Sequence, residues 1–312
     1  LNIVGNSYKI SLGGSALVIF KVEDDNLEEF YIRTETKRQF KAEPFYKEGY
    51  YIALIAWPIQ DKSFRATVVA KDAAGNISKS YIPLYLKSKD YKLSKITLKD
   101  SFLKGKIADL AEEFEETQGI HDSIEQFKLI NEKVREKNEA LIHQITSKVP
   151  NESIDTLHVE PMYPLKNGQV VAHFGDHRKY YYKGKFISEA YHLGIDMASS
   201  AMAPIISKNN GKVVFADYNG LYGNSPIISH GLGLYTLYGH CSSLDITKGD
   251  EISKNQKIAN TGKSGYAMGD HLHFGILVQG VEVRPQEWMD KQWIKLNITD
   301  IISNAKKIID KE

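Results

Sequence analysis

The stretch Gly269-Asp-His-Leu-His-Phe-Gly275, GDHLHFG, places one histidine on each side of a leucine near the end of the chain. The apolar residues that follow it to Val278 predict a strand. In a strand, side chains two residues apart share a face, with Cα atoms about 6.5–7 Å apart. His271 and His273 are therefore predicted to face the same space, either as a half-exposed surface pair or as donors to a metal ion.

The composition limits the classes of protein that the chain can belong to. Its 312 residues suffice for two domains, and 42% hydrophobic and 25% charged residues are typical of folded soluble proteins. A net charge of +1 without a clustered basic run argues against a nucleic-acid partner. The apolar run Ala16 to Phe20 is too short to span a bilayer, and the single Cys241 excludes an intrachain disulfide. A start at Leu1 is compatible with a signal peptide or membrane anchor upstream of residue 1.

The first ninety residues predict β structure. From Phe64 to Lys71 polar and apolar residues alternate, and Asp72 to Asn76 supplies turn residues. Pro83 in the following strand indicates a sheet edge. A strand that ends in Ala70-Lys-Asp-Ala-Ala-Gly-Asn76 resembles the close of an immunoglobulin-like bacterial module.

The period then changes to that of helices. Apolar residues recur at helical spacing from Phe102, and a second helix is predicted from Ser123, with Gln126 completing a capping box and Pro150 ending it. Its predicted buried stripe consists of Ile124, Phe127, Ile130, Val134, Leu141 and Ile145. The acidic run Glu112 to Glu116 is either a solvated helix face or, as a minor alternative, the source of a carboxylate that plugs a metal site.

From about Thr156 the chain is again rich in predicted strands and in glycine. Asn209-Asn210-Gly211 predicts a hairpin before the strand Lys212 to Tyr218, and short strands separated by turns predict an antiparallel sheet or sandwich. Eight of the ten histidines lie from His158 onward, which directs the search for a site to this half.

A second histidine cluster changes the interpretation of the first. His192-Leu-Gly-Ile-Asp196 places an imidazole four residues before a carboxylate. Gly194 disfavours a helix, and on an extended strand the two Cα atoms would be about 13 Å apart, so the chain is predicted to bend at Gly194. Together with His271 and His273 this supplies three nitrogen and oxygen donors and one spare histidine.

Three protein ligands with an open fourth position are typical of catalytic zinc, which activates a bound water. Cys241 has no partner cysteine for a thiolate site, and the chain has no His-Glu-x-x-His motif. Another group must therefore handle the proton, a task that suits histidine near neutral pH. His240, expected at the end of a strand from Leu234 to Tyr238, is a candidate, although it is also compatible with an ordinary loop histidine.

Four ordered motifs resemble those of the lysostaphin/LytM-type zinc peptidases, and the resemblance covers about residues 162–288. They are His192-x-x-x-Asp196, Tyr238-Gly-His240, Thr261-Gly-Lys-Ser264-Gly and His271-Leu-His273-Phe. The resemblance implies that His192, Asp196 and His273 bind Zn²⁺, that His271 is the general base, and that His240 assists with the tetrahedral intermediate or the proton.

The resemblance also implies an organisation and a function. We predict a mainly β protein with an Ig-like β module at 1–92, a helical linker at 93–153, a LytM-type antiparallel β-sheet groove domain at 154–290 and a helical tail at 291–312. The implied activity is hydrolysis of peptide cross-links in peptidoglycan peptide stems, in the periplasm or cell envelope, together with other wall-shaping proteins. The alternative is a catalytically silent member that binds peptidoglycan or activates another wall hydrolase.

The chain departs from the usual family pattern before the His-x-His motif, where the loop from Gly265 to Asp270 is longer. Tyr266 in that loop is predicted to border the groove, or the loop is merely a variant turn. The run Tyr180 to Tyr182 is predicted to form a groove wall or internal packing. His173 and His177 are further, weaker candidates for metal ligands.

Overall fold

A computed structural model describes residues 1–150 and 152–311, and the protein is mainly β, as predicted. The strands in the N-terminal part are β1 (Asn2–Asn6), β2 (Lys9–Ser11), β3 (Ser15–Lys21), β4 (Leu27–Thr34), β5 (Gln39–Phe40), β6 (Glu43–Pro44), β7 (Tyr50–Ala56), β8 (Ala66–Asp72), β9 (Ile77–Tyr81), β10 (Tyr85–Lys87) and β11 (Leu93–Thr97). Those that follow are β12 (Gln169–Ala172), β13 (His177–Tyr182), β14 (Lys185–Tyr191), β15 (Ile195–Ala198), β16 (Pro204–Ile206), β17 (Gly211–Tyr218), β18 (Asn224–Ser229), β19 (Leu234–Gly239), β20 (Ser243–Leu244), β21 (Glu251–Ile252), β22 (Lys257–Asn260), β23 (Leu272–Val278) and β24 (Val281–Val283).

The helices lie in the middle and at the end of the chain. They are α1 (Asp100–Phe102), α2 (Ala108–Glu113), α3 (Ser123–Leu129), α4 (Arg135–Thr146), α5 (Pro285–Met289), α6 (Lys291–Ile294) and α7 (Asp300–Ile309). Three π-helical turns, Leu103–Ile107, Ile130–Val134 and Lys295–Thr299, join α1 to α2, α3 to α4 and α6 to α7. Short 3₁₀ turns form at Glu115–Thr117 and Gly220–Tyr222.

The N-terminal strands form two four-stranded antiparallel sheets, β1-β3-β7-β6 and β5-β4-β8-β9. Aromatic rings join the sheets, because Phe30 of β4 lies 4.1 Å from Tyr51 and 6.2 Å from Phe20, centroid to centroid. Phe64 and the alternating residues Ala66, Val68 and Ala70 are buried, as the pattern predicts. The edge strand β9 ends before Pro83, which agrees with the effect of proline on sheet pairing.

The second helix differs in detail from the sequence prediction. Its N-cap is Asp122, whose carboxylate accepts hydrogen bonds from the amides of Ile124 and Glu125, so the predicted Ser123 cap is wrong. Phe127, Ile130 and Val134 are buried, but Leu141 is 36% exposed and Ile142 is buried instead. A π-helical turn at Ile130–Val134 contains more residues per turn than an α-helix, which rotates the stripe by about one position.

The segment 93–153 starts with a strand rather than a helix. β11 pairs in parallel with β13, and β13 pairs with β14, so this segment is built into a three-stranded sheet of the second half. Apolar side chains of the helical segments between Phe102 and Val134 pack on that sheet and on the loop before β18. The resulting cluster includes Phe127, Tyr180, Ala190 and Leu221. The helical segment is therefore part of the body of the molecule.

A large antiparallel sheet dominates the second half, in the order β12-β15-β23-β19-β18-β17-β21, with β24 pairing β23. Every residue of the central strand β23 is buried. Asn209 and Asn210 connect β16 to β17, which belong to different sheets, so the hairpin predicted there does not form. β17 pairs instead with β18 and β21, and these long-range pairings override the local turn signal at Asn209 and Asn210.

The C-terminal segment with α5 and α7 connects the two halves of the molecule by packing against them. Ile302, Ala305 and Ile309 of α7 are buried in the core that also contains the N-terminal sheets. The indole nitrogen of Trp288 donates to the Ser15 hydroxyl at 3.1 Å. Within residues 1–150 and 152–311, no helix has the length and apolar character that crossing a membrane requires.

Candidate metal centre

Three side chains converge at one edge of the large sheet. Asp196 of β15 lies directly opposite His273 of β23 in an antiparallel pair, which brings their side chains within reach on one face. His192 follows the last residue of β14 and reaches the same place from the smaller sheet. The chain therefore turns between two strands at residues 193–194, whereas the sequence predicted one bent strand.

Gly194 is required for a different reason than the predicted bend. A Cβ atom at this position would lie 2.6 Å from both Cε1 and Nε2 of His273, and 2.7 Å from the carbonyl oxygen of Phe274. Real Cβ contacts are not that short. The absence of a side chain at Gly194 is what lets the imidazole of His273 reach its position.

The donor atoms form a nearly equilateral triangle. Nε2 of His192 lies 2.9 Å from Oδ1 of Asp196 and 3.1 Å from Nδ1 of His273, and Nδ1 of His273 lies 2.9 Å from the same Oδ1. Two donors of a tetrahedral zinc ion with bonds of about 2.0–2.1 Å lie roughly 3.3 Å apart. Among the described residues this is the one trio of histidine, cysteine or carboxylate side chains that meets the spacing for a metal ion.

The hydrogen bonds of His192 show that the trio fits a cation. Nδ1 lies 2.9 Å from the carbonyl oxygen of His173, and since a carbonyl only accepts, Nδ1 carries the proton. In the neutral imidazole, Nε2 then presents a lone pair to the carboxylate of Asp196. Two acceptors at 2.9 Å repel each other unless a proton or a metal ion lies between them, and two nitrogens with one carboxylate oxygen suit zinc.

Electrostatics favours the ligand forms of the trio. Burial raises the pKa of Asp196, but the contacts with His192 and His273 outweigh burial and hold that pKa well below its ordinary value. Burial lowers the pKa of His273. The carboxyl is therefore anionic and the imidazole neutral at pH 7, which are the forms that bind a metal ion.

The two remaining predicted histidines lie beside the trio. Nε2 of His271 is 3.8 Å from Oδ1 of Asp196, and the ring of His240 is 4.8 Å from that of His271 and 5.9 Å from that of His273. Nδ1 of His271 donates to the Gly269 carbonyl at 2.8 Å, and Nδ1 of His240 donates to the Ser264 carbonyl at 2.9 Å. In the neutral form of either ring the lone pair is therefore on Nε2.

His240 is held in an unusual conformation. Its φ is +68°, in the left-handed region that residues with side chains seldom adopt, directly after β19. Burial, together with neighbouring His273 and His271, lowers its pKa to about 3. The ring is thus neutral at pH 7 and its orientation is fixed by the backbone.

The other sequence candidates lie outside the trio. His173 contributes its carbonyl to His192, and the ring of His177 stacks on Tyr191 at 4.4 Å and contacts Glu189. In the acidic run, Glu113 bonds to the Tyr218 hydroxyl and Glu116 pairs with Lys137, so neither plugs the centre.

A cavity lies beside the trio, and the predicted wall residues Tyr180 and Tyr266 are among the residues that line it. Tyr180 is buried against Phe127, and Tyr266 packs on Phe102. Both phenylalanines belong to the helical segment. Tyr222, in the loop before β18, places its ring 5.5 Å from that of His273. Asp270 of the lengthened loop accepts from Thr261 at 2.6 Å and from the Met202 amide at 3.1 Å, which anchors the loop.

Two arginines in the same cavity were not identified from the sequence. Arg178 lies with Nη2 3.8 Å from Oδ2 of Asp196, and its Nε is 3.3 Å from Asp176. Arg135 enters from α4. Asp176, two residues before Arg178 and directly ahead of β13, was an available signal, whereas Arg135 lies in a run of charges typical of an exposed helix face.

Comparisons with known proteins agree with this geometry. The family model for peptidase family M23 matches residues 190–285. The chain is 33% identical over 119 residues to the peptidoglycan DD-endopeptidase ShyB of Vibrio cholerae, covering 38% of this chain and 27% of that protein. It is 33% identical over 94 residues to the DD-carboxypeptidase/endopeptidase Mpg of Neisseria meningitidis, covering 30% of this chain and 22% of that protein. The matches thus span about a quarter of these relatives.

A solved structure from Pseudomonas aeruginosa, assigned to peptidase M23, has the same fold over most of the chain. Its TM-score is 0.54 at 16% identity, and the superposition covers 92% of this chain and 96% of that one. The family match contains all three donor residues and both neighbouring histidines. Residues 190–285 therefore form a domain of peptidase family M23.

Proposed function

We propose that the protein is a zinc-dependent endopeptidase that hydrolyses peptide cross-links of bacterial peptidoglycan. The observation that supports it most is the triangle of His192, Asp196 and His273, with edges of 2.9–3.1 Å, beside two imidazoles whose lone pairs are on Nε2. Zinc held by these residues would supply a Lewis acid and lower the pKa of a bound water.

The chain itself supplies the proton acceptor and the orientation. Nε2 of His271 is the general base in this proposal, because its lone pair is 3.8 Å from Oδ1 of Asp196 and its Nδ1 proton is fixed by Gly269. His240, neutral at pH 7 and held in place by Ser264, is the second catalytic histidine in this proposal, as an acceptor of a hydrogen bond through Nε2. Tyr222 packs edge-on against the ring of His273, with ring centroids 5.5 Å apart.

The substrate part of the proposal rests on the relatives. Two matched proteins are named for action on peptidoglycan or as DD-peptidases. The family match includes the whole proposed site. A wall substrate would require the protein to act in the periplasm or cell envelope, and that location is part of the proposal.

The test incubates the purified chain with bacterial sacculi, once loaded with zinc and once after chelation, and analyses released muropeptides by chromatography. Zinc-dependent release of cross-link cleavage products is expected, and the Asp196→Ala variant serves as the inactive control. If the zinc-loaded protein binds sacculi but releases nothing, the silent wall-binding alternative is correct and the endopeptidase proposal is wrong.

A further inference from the structure

The orientation of His271 depends on a carbonyl in an exposed part of the chain. Nδ1 of His271 donates to the carbonyl oxygen of Gly269 at 2.8 Å. The preceding residue, Met268, is 73% exposed, and a Cβ atom built on Gly269 would meet no atom within 4 Å among the described residues. Packing around Gly269 therefore does not hold this carbonyl in place.

The carbonyl that orients His240 is held differently. It belongs to Ser264, whose hydroxyl donates to the Cys241 carbonyl at 2.8 Å and accepts from the Asn224 amide at 3.0 Å. The carbonyl beside His240 is thus fixed by its surroundings, whereas the carbonyl beside His271 requires another anchor.

Asp270, which lies between Gly269 and His271, supplies such an anchor. Its Oδ1 accepts from the hydroxyl of Thr261 at 2.6 Å, and its Oδ2 accepts from the amide of Met202 at 3.1 Å. The carboxylate thus joins the end of the loop to two other segments, with one oxygen for each.

Thr261 is a rigid attachment point. It is 1% exposed, its amide donates to the Ala203 carbonyl, and its hydroxyl oxygen accepts from the Ala203 amide, both at 2.9 Å. The amide of His271 donates to the carbonyl of the next residue, Gly262, at 3.0 Å. The carboxylate of Asp270 and the backbone of His271 are therefore attached to adjacent residues of one segment.

Met202 is held in a strained conformation. Its φ is +53°, in the left-handed region that residues with a Cβ atom seldom adopt. Its carbonyl accepts from Nδ2 of Asn260 at 2.7 Å, and its amide donates to Asp270. Because strained conformations persist only where the surroundings fix them, these two hydrogen bonds hold the turn at Met202 against the loop before His271.

The tautomer of His271 decides whether the ring can act as a base. A neutral imidazole carries its proton on one nitrogen, and the hydrogen bond of that nitrogen fixes the lone pair on the other. Only the form with the proton on Nδ1 leaves a lone pair on Nε2, which lies 3.8 Å from Oδ1 of Asp196. In water the histidine side chain prefers the other tautomer. The Gly269 carbonyl must therefore stay in place for Nε2 to accept a proton.

We propose that Asp270 is a positioning residue for the general base, and that its anchoring of the chain beside Gly269 keeps the proton of His271 on Nδ1. Asp270 acts through His271 and is not one of the three metal donors. The kinetic consequence rests on the proposed peptidase function, whereas the tautomer is a property of the folded chain itself.

The first measurement is ¹⁵N NMR of the histidine rings in the zinc-loaded full chain, at alkaline pH, where an imidazole is neutral. The signals of His271 are assigned by their loss in His271→Ala. The wild type is expected to carry the proton on Nδ1, and Asp270→Ala is expected to shift the population toward Nε2. Asp270→Asn keeps one accepting oxygen and is expected to shift it less.

Asp250→Ala is the matched control. Like Asp270, Asp250 accepts from a threonine hydroxyl and from a backbone amide, here both of Thr247, at 3.3 and 2.8 Å. It directly precedes β21, at the far edge of the large sheet. This variant is expected to keep the wild-type tautomer of His271, whereas a general loosening of the fold would change the tautomer in both variants.

Cleavage of soluble cross-linked muropeptides gives the second readout. Asp270→Ala is expected to keep its zinc and its KM and to lower kcat about ten- to a hundredfold, the effect of a slightly misplaced catalytic group. Loss of zinc, or a change in KM alone, would assign Asp270 to metal or substrate binding and overturn the inference.

The outcomes separate this inference from the proposed function. An unchanged His271 tautomer in both Asp270 variants overturns the inference, whether or not the protein is a peptidase. A shifted tautomer with unchanged kcat also overturns it, because His271 would then not be the base. If the wild type cleaves no wall substrate, the proposed function fails, and the tautomer measurement alone decides the role of Asp270.

Discussion

Two buried carboxyl groups in this protein have opposite acidities. Asp196 contacts two imidazoles through one oxygen, and these contacts outweigh the effect of burial and hold its pKa well below the ordinary value. Glu43 of β6 is 1% exposed, and neither of its oxygens has a hydrogen-bond partner among the described residues. Burial, together with the charge of Glu152, raises the pKa of Glu43 to about 7.

The difference shows that the partners, and not burial, decide the charge of a buried acid here. The amide of Leu232 lowers the pKa of Glu43 somewhat, but it does not reach hydrogen-bond geometry. Asp196 is therefore prepared to bind a cation, whereas ionised Glu43 destabilises the fold. Asp196 belongs to the candidate site. Glu43 lowers the stability of the fold at the point where β6 faces the second half of the chain.

Replacing Asp196 by alanine removes one of the two carboxyl groups and is expected to have the largest effect. The trio loses its only anionic donor, so zinc affinity is expected to fall by more than the about 10–100-fold that follows loss of a residue that merely supports a ligand. Zinc content after dialysis and muropeptide release should both drop to background. Retention of stoichiometric zinc by this variant would contradict the proposed ligand set.

Replacing His271 by alanine tests whether a histidine that approaches Asp196 without belonging to the trio contributes to metal binding. His271 approaches Oδ1 only to 3.8 Å, so zinc content is expected to stay near one per chain. Turnover should fall about 10²–10⁴-fold, the usual contribution of a general base. Metal analysis and steady-state kinetics on the same sample check this, and full activity would show that another group accepts the proton.

Gly194→Ala moves a partner of Asp196 and leaves the carboxyl in place. The new Cβ would meet the ring of His273 at 2.6 Å, so we expect a loss of about 1–3 kcal/mol in unfolding free energy and weaker zinc binding. Gly269→Ala is the control, since a Cβ there meets no atom within 4 Å. Equal behaviour of the two variants in denaturant and zinc titrations would refute the steric argument.

Glu43→Gln has the smallest expected effect, and it depends on pH. The folded state binds the proton of Glu43 more tightly than the unfolded chain, so the stability that this provides is full below about pH 4.5 and is lost as pH rises through about 7. Glutamine has no proton to lose. The variant should therefore gain about 1–2 kcal/mol over wild type between pH 5 and 8.

Thermal or denaturant unfolding at several pH values measures this gain, with exposed Glu48→Gln as the control. A stability difference between wild type and Glu43→Gln that does not change with pH would show that Glu43 is ionised without cost.

The candidate site residues, and the shared face of His271 and His273, could be predicted from the sequence alone. The period of two applies to His271, directly before β23, and to His273 within it, and the ordered motifs identify His192, Asp196 and His240 as candidates. The mainly β class also followed from local alternation. These features depend on residues close together in the chain, where backbone periodicity fixes the direction of each side chain.

How distant segments meet depends on the folded chain as a whole. The pairing of Asp196 with His273 joins residues 77 positions apart, and the role of Gly194 appears only once His273 lies against it. No sequence pattern singled out Arg135, yet the hydrogen bonds of Asn131 to Ser188 and of Asn138 to the Leu221 amide hold its helix so that Arg135 lines the cavity. Such contacts depend on strand register and helix docking, which arise from packing of the whole chain and have no local sequence signal.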